Sequence, residues 1–399
     1  MKSSTKRPKG VVTWAEIDLD AYAHNLRQVI RHVGKLTEVF AVVKANAYGH
    51  GAIPISQAAL SAGATYLAVH RITEGVELRQ AQIKAPILIM GYIPPDAAET
   101  AIRWGLTPSL MTLETAQALS SCAAASGVKV PVHIKVDTGM SRYGLMPDEA
   151  VNFIQVVSNL PAITVEGIFT HLATADSSDQ HHVRNQLDVF NDVLSAVRTA
   201  GFNIPLIHAA NSAAMMRLPE AHYNAVRTGI CLYGMDPSRE WEPVFDIRPV
   251  LSFKSIVSRI RMLPAGAGVG YGRTFVTKHP TRVALIPTGY GDGYHRLLSN
   301  RGWILINGQK APVLGRVSMD QSIVDITNIP GVKQDDEVVI IGRQGHEQIR
   351  AEDVAMWAET INYEVTTSLL PRVTRVYLLG GEVVGISDPS GLFDGTKPQ

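Results

Sequence analysis

The chain has 399 residues, of which 46% are hydrophobic and 18% are charged. This composition excludes a disordered chain, a collagen and a disulfide-rich miniprotein, and the length predicts two domains. Because 37 Lys and Arg nearly balance 36 Asp and Glu, the net charge is only +1, and no uniform field draws the chain to nucleic acid or to an anionic membrane. A small-molecule partner is therefore expected.

The two ends of the chain have the composition of unstructured segments. Residues 1–11 form a polar arm without the apolar stretch of a secretory signal, and residues 388–399 carry several Gly and Pro. No run approaches the roughly eighteen apolar residues of a membrane helix. Cys122 and Cys231 fit neither a CxxC motif nor a zinc-ligand spacing, so we expect no disulfide framework and no metal site. A reducing, cytoplasmic location is predicted.

An amphipathic helix is predicted between Asp18 and Gly34. Tyr22, Leu26 and Val29 fall on one face at helical spacing, the aspartate is a suitable cap, and the glycine is a suitable stop.

Beyond this helix the hydrophobic pattern changes to short apolar runs, each followed by a helix-like stretch. This is the pattern of parallel βα units. Eight such runs occur, at residues 39–44, 66–69, 86–90, 107–111, 131–136, 165–170, 206–209 and 225–232. Eight units predict an α/β fold with an N-terminal (β/α)8 TIM barrel rather than an open doubly wound sheet. No GxGxxG motif follows the first run, which further disfavours a dinucleotide-binding fold.

The second half of the chain predicts a mainly β domain. Strand-like stretches at residues 283–287, 303–306, 321–326 and 337–341 are separated by Gly, Pro, Asn and Asp clusters, and a helix fits only near 351–360. We place the boundary near 243–249, which divides the chain into a barrel of residues 12–245 and a C-terminal β domain of residues 246–387.

The reacting groups of a TIM barrel lie where its strands end, and the first strand ends in Lys44. A lysine at the barrel mouth costs free energy unless it is paired, neutralised or covalently bound. One interpretation is a side chain that extends out to solvent. The other is a Schiff-base lysine whose partly desolvated amine attacks an aldehyde such as that of pyridoxal phosphate (PLP).

A phosphate site would support the second interpretation. TIM barrels often bind phosphate with the loops after strands seven and eight. Here those loops offer the hydroxyl of Ser212, and Gly229 with the neighbouring N–H of Ile230, while Tyr48 follows the first strand. Each residue alone is weak evidence for a phosphate site, but the serine and the glycine coincide with the ends of strands seven and eight.

Charged residues inside the predicted barrel need partners. The fifth strand places Lys135 and Asp137 on one face, near Arg142. Two cations cannot neutralise each other, so either the aspartate serves both or a modification makes the lysine an anion. A simple ion pair of Lys135 with Asp137 or with a glutamate is the other alternative. His171 ends the sixth strand, where a structural role is common, and Arg227 lies within an otherwise apolar eighth strand.

These residues sit in motifs that resemble the bacterial alanine racemases. In chain order the motifs are AVVKANAYGHG, VDTGMSRYG, EGIFTHLATAD, HAANSAA, VRTGICLYG, GVGYGRTF, GYGDGYHR, GRVSMDQ and INYEV. The resemblance spans about residues 12–385. It implies a fold-type III PLP enzyme, with a barrel, a β domain and a head-to-tail homodimer whose partner subunits complete each other's sites. The implied activity interconverts L-alanine and D-alanine, which supplies D-alanine for peptidoglycan.

The resemblance also assigns two proton carriers. Lys44 matches the Schiff-base lysine, which is the base on one face of the substrate, and Tyr271 matches the tyrosine that reaches in from the partner subunit on the other face. Inversion requires one group to remove the α-proton and another to return it from the opposite side.

The remaining implied roles concern cofactor and substrate. Arg227 matches the arginine that hydrogen-bonds the pyridine nitrogen, His208 its partner, and His171 the residue beside the ring. Lys135 matches a lysine that is carbamylated in some members. The implied phosphate ligands are Tyr48, Ser212, Gly229, Ile230 and Tyr363. The residues implied near the cofactor oxygen and the substrate carboxylate are Arg142 and Met319.

Three other functions compete with this interpretation. A fold-type III decarboxylase would call for an acidic group at the pyridine nitrogen, where Arg227 is expected. A non-catalytic barrel that only binds PLP would lack the β domain and Tyr271. A racemase of broader specificity is the nearest alternative, against which Tyr363 and a tight pocket argue modestly.

Overall fold

The computed structural model describes residues 7–389; residues 1–6 of the predicted arm and 390–399 of the predicted tail lie outside the described residues. The described chain opens with strand β1 (Thr13–Asp18), followed by the helix Leu19–Val33. Asp18 caps this helix by accepting a hydrogen bond from the Ala21 N–H, and Gly34 ends it at a φ of 82°. The predicted first helix is therefore confirmed.

Eight parallel strands close into a barrel, which confirms the predicted architecture. They are β2 (Glu38–Val42), β3 (Tyr66–Val69), β4 (Ile87–Ile89), β5 (Thr107–Leu110), β6 (Val130–Lys135), β7 (Ile163–Phe169), β8 (Leu206–His208) and β9 (Ala225–Thr228). Pairing of β2 with β9 closes the circle. The last strand is shorter than the predicted 225–232, because after Gly229 the buried residues continue as a 3₁₀ helix, Ile230–Tyr233.

Helices surround the barrel and connect its strands. The α-helices after the first are Ala52–Ala62, Ile72–Gln80, Ala98–Arg103, Leu113–Ala125, Ala150–Ser158, His181–Thr199 and Ser212–Arg217, with Ala351–Trp357 and Asn362–Thr367 in the second domain. Besides the turn after β9, the 3₁₀ helices are Pro95–Ala97, Pro147–Glu149, Pro219–Ala221, Tyr271–Arg273, Tyr290–Asp292 and Arg296–Leu298. Within residues 7–389, no helix is long and apolar enough to span a bilayer.

The second domain is mainly β, as predicted. Its strands are β10 (Leu251–Ile256), β11 (Arg259–Leu263), β12 (Gly268–Val269), β13 (Phe275–Val276), β14 (Thr281–Ile286), β15 (Trp303–Ile306), β16 (Gln309–Pro312), β17 (Ser322–Asp325), β18 (Glu337–Gln344), β19 (Glu347–Ile349), β20 (Thr374–Leu379) and β21 (Glu382–Ser387). The main sheet has the order β16-β15-β18-β10-β1-β20-β21, with β19 paired to β18.

The two halves of the chain are joined through β1, which the sequence analysis did not anticipate. This strand lies antiparallel to β10 and parallel to β20, so the first strand of the described chain sits inside the sheet of the second domain. One buried core runs from the barrel into this sheet. The helix Leu19–Val33 is consequently fixed between the two units, and the predicted boundary near residue 245 stays a prediction.

Candidate active site

A cavity of about 140 Å³ opens where the barrel strands end. It is lined by Val42, Lys44, Tyr48, His70, Met90, Lys135, Arg142, Phe169, His171, Asn211, Ser212, Arg227, Gly229, Ile230 and Tyr363. Ten of the residues singled out for chemistry thus meet in one place. Four of the lining residues are Lys or Arg, and none of the described lining residues is acidic. The cavity is therefore suited to an anionic ligand.

Lys44 stands at the start of an unusual turn. The next four residues, Ala45 to Tyr48, have φ values between 50° and 54°, so the chain makes a turn of left-handed helix without any glycine. Such residues cost about 1–2 kcal/mol each, and strain of this kind clusters at functional sites. Burial and the nearby Arg142 lower the pKa of Lys44, which the carboxylate of Glu74 partly opposes. More of its amine is consequently neutral, the form that attacks an aldehyde.

A small cradle faces the lysine across the cavity. The Ser212 hydroxyl accepts a hydrogen bond from the Gly229 N–H at 2.9 Å, which joins the ends of β8 and β9. A Cβ on Gly229 would lie 2.4 Å from the hydroxyl of Tyr48, so any larger residue would require that phenol to move. Burial raises the pKa of Tyr48 and of Tyr363, which keeps both phenols protonated as hydrogen-bond donors.

Arg227 is fixed by its surroundings and is 4% exposed. Its Nη1 donates to Nδ1 and to the carbonyl of His208, and its Nη2 donates to the carbonyls of Thr170 and Ala209. In the described part of the chain, its Nε–H has no acceptor. One donor of a rigid guanidinium is thus left for a ligand. Burial lowers the pKa of Arg227 to about 9.

A row of hydrogen bonds continues from Arg227 through the barrel interior. His208 Nε2 lies 2.8 Å from His133 Nδ1, and His133 Nε2 lies 3.1 Å from Glu166, which also accepts from the Tyr66 hydroxyl. Because arginine can only donate, each imidazole must accept on one nitrogen and donate from the other, with all protons directed toward Glu166. Burial lowers the pKa of both histidines, which keeps them neutral.

The Asp137 carboxylate after the fifth barrel strand is bound by the backbone of its own turn. That carboxylate accepts the backbone N–H groups of Gly139, Met140, Ser141 and Arg142, and among the described residues it makes no ion pair with Lys135. The predicted Lys135–Asp137 ion pair is therefore wrong, because the carboxylate is committed to the turn; at longer range its charge still opposes the fall in the pKa of Lys135.

Lys135 instead donates to the Met90 carbonyl at 3.2 Å and lies over the rings of Tyr143 and Phe169. Burial, followed by the charges of Arg227 and the other pocket cations, lowers the pKa of this lysine to about 8.

Two predicted site residues lie away from the cavity. Tyr271 begins the 3₁₀ helix Tyr271–Arg273 in the second domain and is 72% exposed, and Met319 is 54% exposed. Neither lines the cavity of its own chain.

The sequence analysis missed several lining residues. His70, Met90 and Asn211 each follow a barrel strand, so their position was the signal that could have revealed them. Phe169 ends β7 and carries both Arg227 and Lys135 against its ring. The sequence analysis covers it only as part of the apolar run 165–170, in which nothing distinguishes it.

The closed barrel, the second β domain and the cationic cavity that contains a partly buried lysine define a two-domain barrel enzyme. Family models for the alanine racemase N-terminal domain and C-terminal domain match residues 17–237 and 250–377. The chain belongs to the alanine racemase family, and is thus a racemase, a kind of isomerase.

Individual relatives agree over nearly the whole chain. An alanine racemase of Halothermothrix orenii is 44% identical over 365 residues, which cover 92% of this chain and 96% of the relative. The solved alanine racemase of Clostridium difficile 630 has a TM-score of 0.92 and 37% identity, and the match covers 96% of this chain and 99% of that one. The Bartonella henselae alanine racemase, solved with covalently bound pyridoxal phosphate, has a TM-score of 0.83 and 33% identity, with 92% and 100% covered.

Proposed function

We propose that the chain interconverts L-alanine and D-alanine with PLP held in the barrel cavity. The observation that carries this proposal is the meeting of Lys44 with a spare Arg227 donor and an anion cradle in one cationic cavity. The PLP-bound Bartonella henselae relative supports the choice of cofactor.

The residues present fit PLP in charge and shape. Lys44 would bind its aldehyde carbon, the free Nε–H of Arg227 would meet the pyridine nitrogen, and His171, whose Nδ1 lies 3.3 Å from Nη2 of that arginine, would lie beside the ring. The phosphate would be held by Tyr48, Ser212, Gly229, Ile230 and Tyr363. When bound, PLP withdraws electrons from the substrate and makes its α-proton acidic.

Two side chains, one from each of two copies of this chain, would then transfer the α-proton. The Lys44 amine removes or returns it on one face, while Tyr271 of a second copy serves the other face. The exposure of Tyr271 and its absence from the cavity of its own chain support a head-to-tail homodimer with shared sites. Arg142, together with Met319 of a second copy, would contact the cofactor oxygen and the substrate carboxylate.

Arg227 would direct the reaction toward racemisation. With a pKa of about 9 it stays protonated near neutral pH and donates a hydrogen bond, so it does not hold the pyridine nitrogen protonated as a carboxylate would. Weaker electron withdrawal favours prompt return of the proton to the α-carbon. The absence of a carboxylate among the described lining residues argues against the decarboxylase alternative.

Lys135 would be carbamylated. Its neutral amine would attack carbon dioxide: a nitrogen–carbon bond forms while one carbon–oxygen π bond opens to an anionic oxygen, and the amine releases a proton to water. The resulting anion would balance Arg142, and the pKa of about 8 makes the neutral amine available. Carbon-13 NMR with labelled bicarbonate should show a carbamate signal that Lys135→Ala lacks. No signal in the parent protein would refute the modification.

We also propose a cytoplasmic location and a role in supplying D-alanine for peptidoglycan. Both rest on the family, and the two unpaired cysteines support a reducing compartment.

The test begins with the visible absorbance of bound cofactor. Lys44→Ala should lose the borohydride-reducible adduct, whereas Lys84→Ala, which changes an exposed lysine, should keep it. The parent protein should abolish the circular dichroism of L-alanine faster than that of L-serine, and should place deuterium at the α-carbon in heavy water. Turnover without deuterium uptake would overturn the proposed mechanism, and equal rates would indicate a broader racemase.

A further inference from the structure

The left-handed turn after Lys44 is held at its later positions by several contacts. Asn46 Oδ1 accepts the Ala52 N–H, His50 Nδ1 donates to the Tyr48 carbonyl, and Arg375 donates to the carbonyl of Gly49. These contacts fix the part of the turn that leads away from the lysine. None of these three contacts involves Ala45, the first residue of the turn.

The first residue of the turn is held by the Glu74 carboxylate. Its Oε1 accepts the Ala45 N–H at 2.6 Å, and in the described chain this is the one side-chain hydrogen bond to the residue that follows Lys44. Its Oε2 accepts the N–H groups of His70 and Arg71, both at 2.8 Å. A single carboxylate thus joins the ends of β2 and β3, each of which presents a lining residue to the cavity.

Resting on the proposed function, we propose that Glu74 is a positioning residue for Lys44. The hydrogen bond to its Oε1 maintains the strained turn that directs the Lys44 amine into the cavity. The hydrogen bond to its Oε2 fixes the backbone of His70 relative to that turn. A buried or partly buried carboxylate that accepts backbone N–H groups forms strong, charge-assisted hydrogen bonds. The position of the amine consequently depends on a residue that does not line the cavity.

Glu74 could instead serve only its own helix. It is the third residue of the helix Ile72–Gln80, and its bond to the Arg71 N–H is a helix cap. The two roles use different oxygens, so one substitution separates them. In Glu74→Gln the remaining carbonyl oxygen can still cap the helix, but the amide nitrogen then faces the Ala45 N–H, donor against donor.

The experiment compares Glu74→Gln with Glu77→Gln, which removes the same charge one turn along the same helix, at a side chain that makes no hydrogen bond to residues 45–48 in the described chain. In Glu74→Gln we expect the PLP dissociation constant to rise about tenfold, the induced circular dichroism of the bound cofactor to weaken, and kcat to fall more than KM changes. Hydrogen exchange should rise in the peptide 44–51 and stay unchanged over 72–80. Glu77→Gln should behave as the parent protein.

The outcomes separate the two proposals. If the parent protein and Glu77→Gln bind PLP and racemise alanine while Glu74→Gln does the same with equal affinity and dichroism, the positioning role is wrong. Increased exchange over 72–80 with normal cofactor dichroism would assign Glu74 to helix capping alone. Failure of the parent protein to bind PLP would instead refute the proposed function.

Discussion

Burial lowers the pKa of three cations of the cavity. The pKa of Lys135 falls to about 8, that of Arg227 to about 9, and that of Lys44 is also lowered. A buried charge without a counterion costs free energy, and a bound anion offsets that cost. The cavity is thus poised for a ligand such as a phosphate ester, and binding of the anion should raise the same pKa values.

Gly229→Ala tests the cradle at this scale. The added Cβ would come within 2.4 Å of the Tyr48 hydroxyl, so the phenol must move away from the phosphate site. We expect PLP affinity to fall about tenfold or more, since overpacking costs about 1–3 kcal/mol. Gly385→Ala is the control, because its Cβ would meet Tyr377 at an ordinary 3.6 Å. Equal affinity in both variants would contradict the cradle.

Local structural elements differ in how well the sequence reveals them. The helix from Leu19 and strand β15 match their predictions because apolar spacing and caps are local signals. Strand β9 was predicted too long because the buried Ile230, Cys231 and Leu232 fit a strand and a 3₁₀ turn equally well. The left-handed turn after Lys44 was missed, since alanine and tyrosine do not ordinarily adopt it.

Site residues that lie in sequence motifs at strand ends could be predicted. Contacts that depend only on the order of the barrel strands could not. Lys44, Ser212 and Gly229 stand at strand ends, so the barrel topology brings them together. The bond between His133 and His208 joins residues 75 positions apart. Only the order of the barrel strands brings such residues into contact, and no local pattern reveals it.

Ala45→Gly tests the strain in the turn. Ala45 is exposed and has a φ of 53°, so glycine relieves the left-handed conformation without removing buried contacts. Allowing for the added freedom of glycine in the unfolded chain, we expect the free energy of unfolding to rise by up to about 1 kcal/mol. Urea denaturation of the cofactor-free protein measures this. Lower stability than in the parent protein would show that the turn is not strained.

At the scale of the whole molecule, the chain is bound together by β1 and by buried polar groups. His50, His133, His171 and His208 are all held with pKa values below the ordinary one, in each case mainly by burial. Each is uncharged in the folded protein and takes up a proton on unfolding in mild acid. Folding and protonation are therefore linked.

The free energy of unfolding should accordingly fall as the pH drops below the ordinary histidine pKa of about 6.5. The unfolded chain then binds more protons than the folded one, which favours unfolding by about 1.4 kcal/mol per pH unit for each such histidine. For His50, whose folded pKa is about 4, this loss continues down to that pH. His50→Asn should reduce the slope by one histidine's share, while His279→Asn, at an exposed site, should not. Identical slopes in all three proteins would contradict the linkage.

The separation of Lys44 from Tyr271 within one chain predicts complementation between copies. In the proposed homodimer, Lys44→Ala would remove one proposed proton carrier from both sites, and Tyr271→Phe would remove the other. In a mixed dimer with shared sites, one site carries both defects and the other carries neither, because its lysine and its tyrosine come from different chains.

Mixing the two inactive proteins under conditions that exchange subunits should therefore restore up to about a quarter of the parent activity. Random exchange makes half of the dimers mixed, and each mixed dimer has one intact site. Native mass spectrometry measures the mixed fraction, and a double variant mixed with the parent protein controls for dilution. Confirmed exchange without recovered activity would mean that each chain builds its site alone.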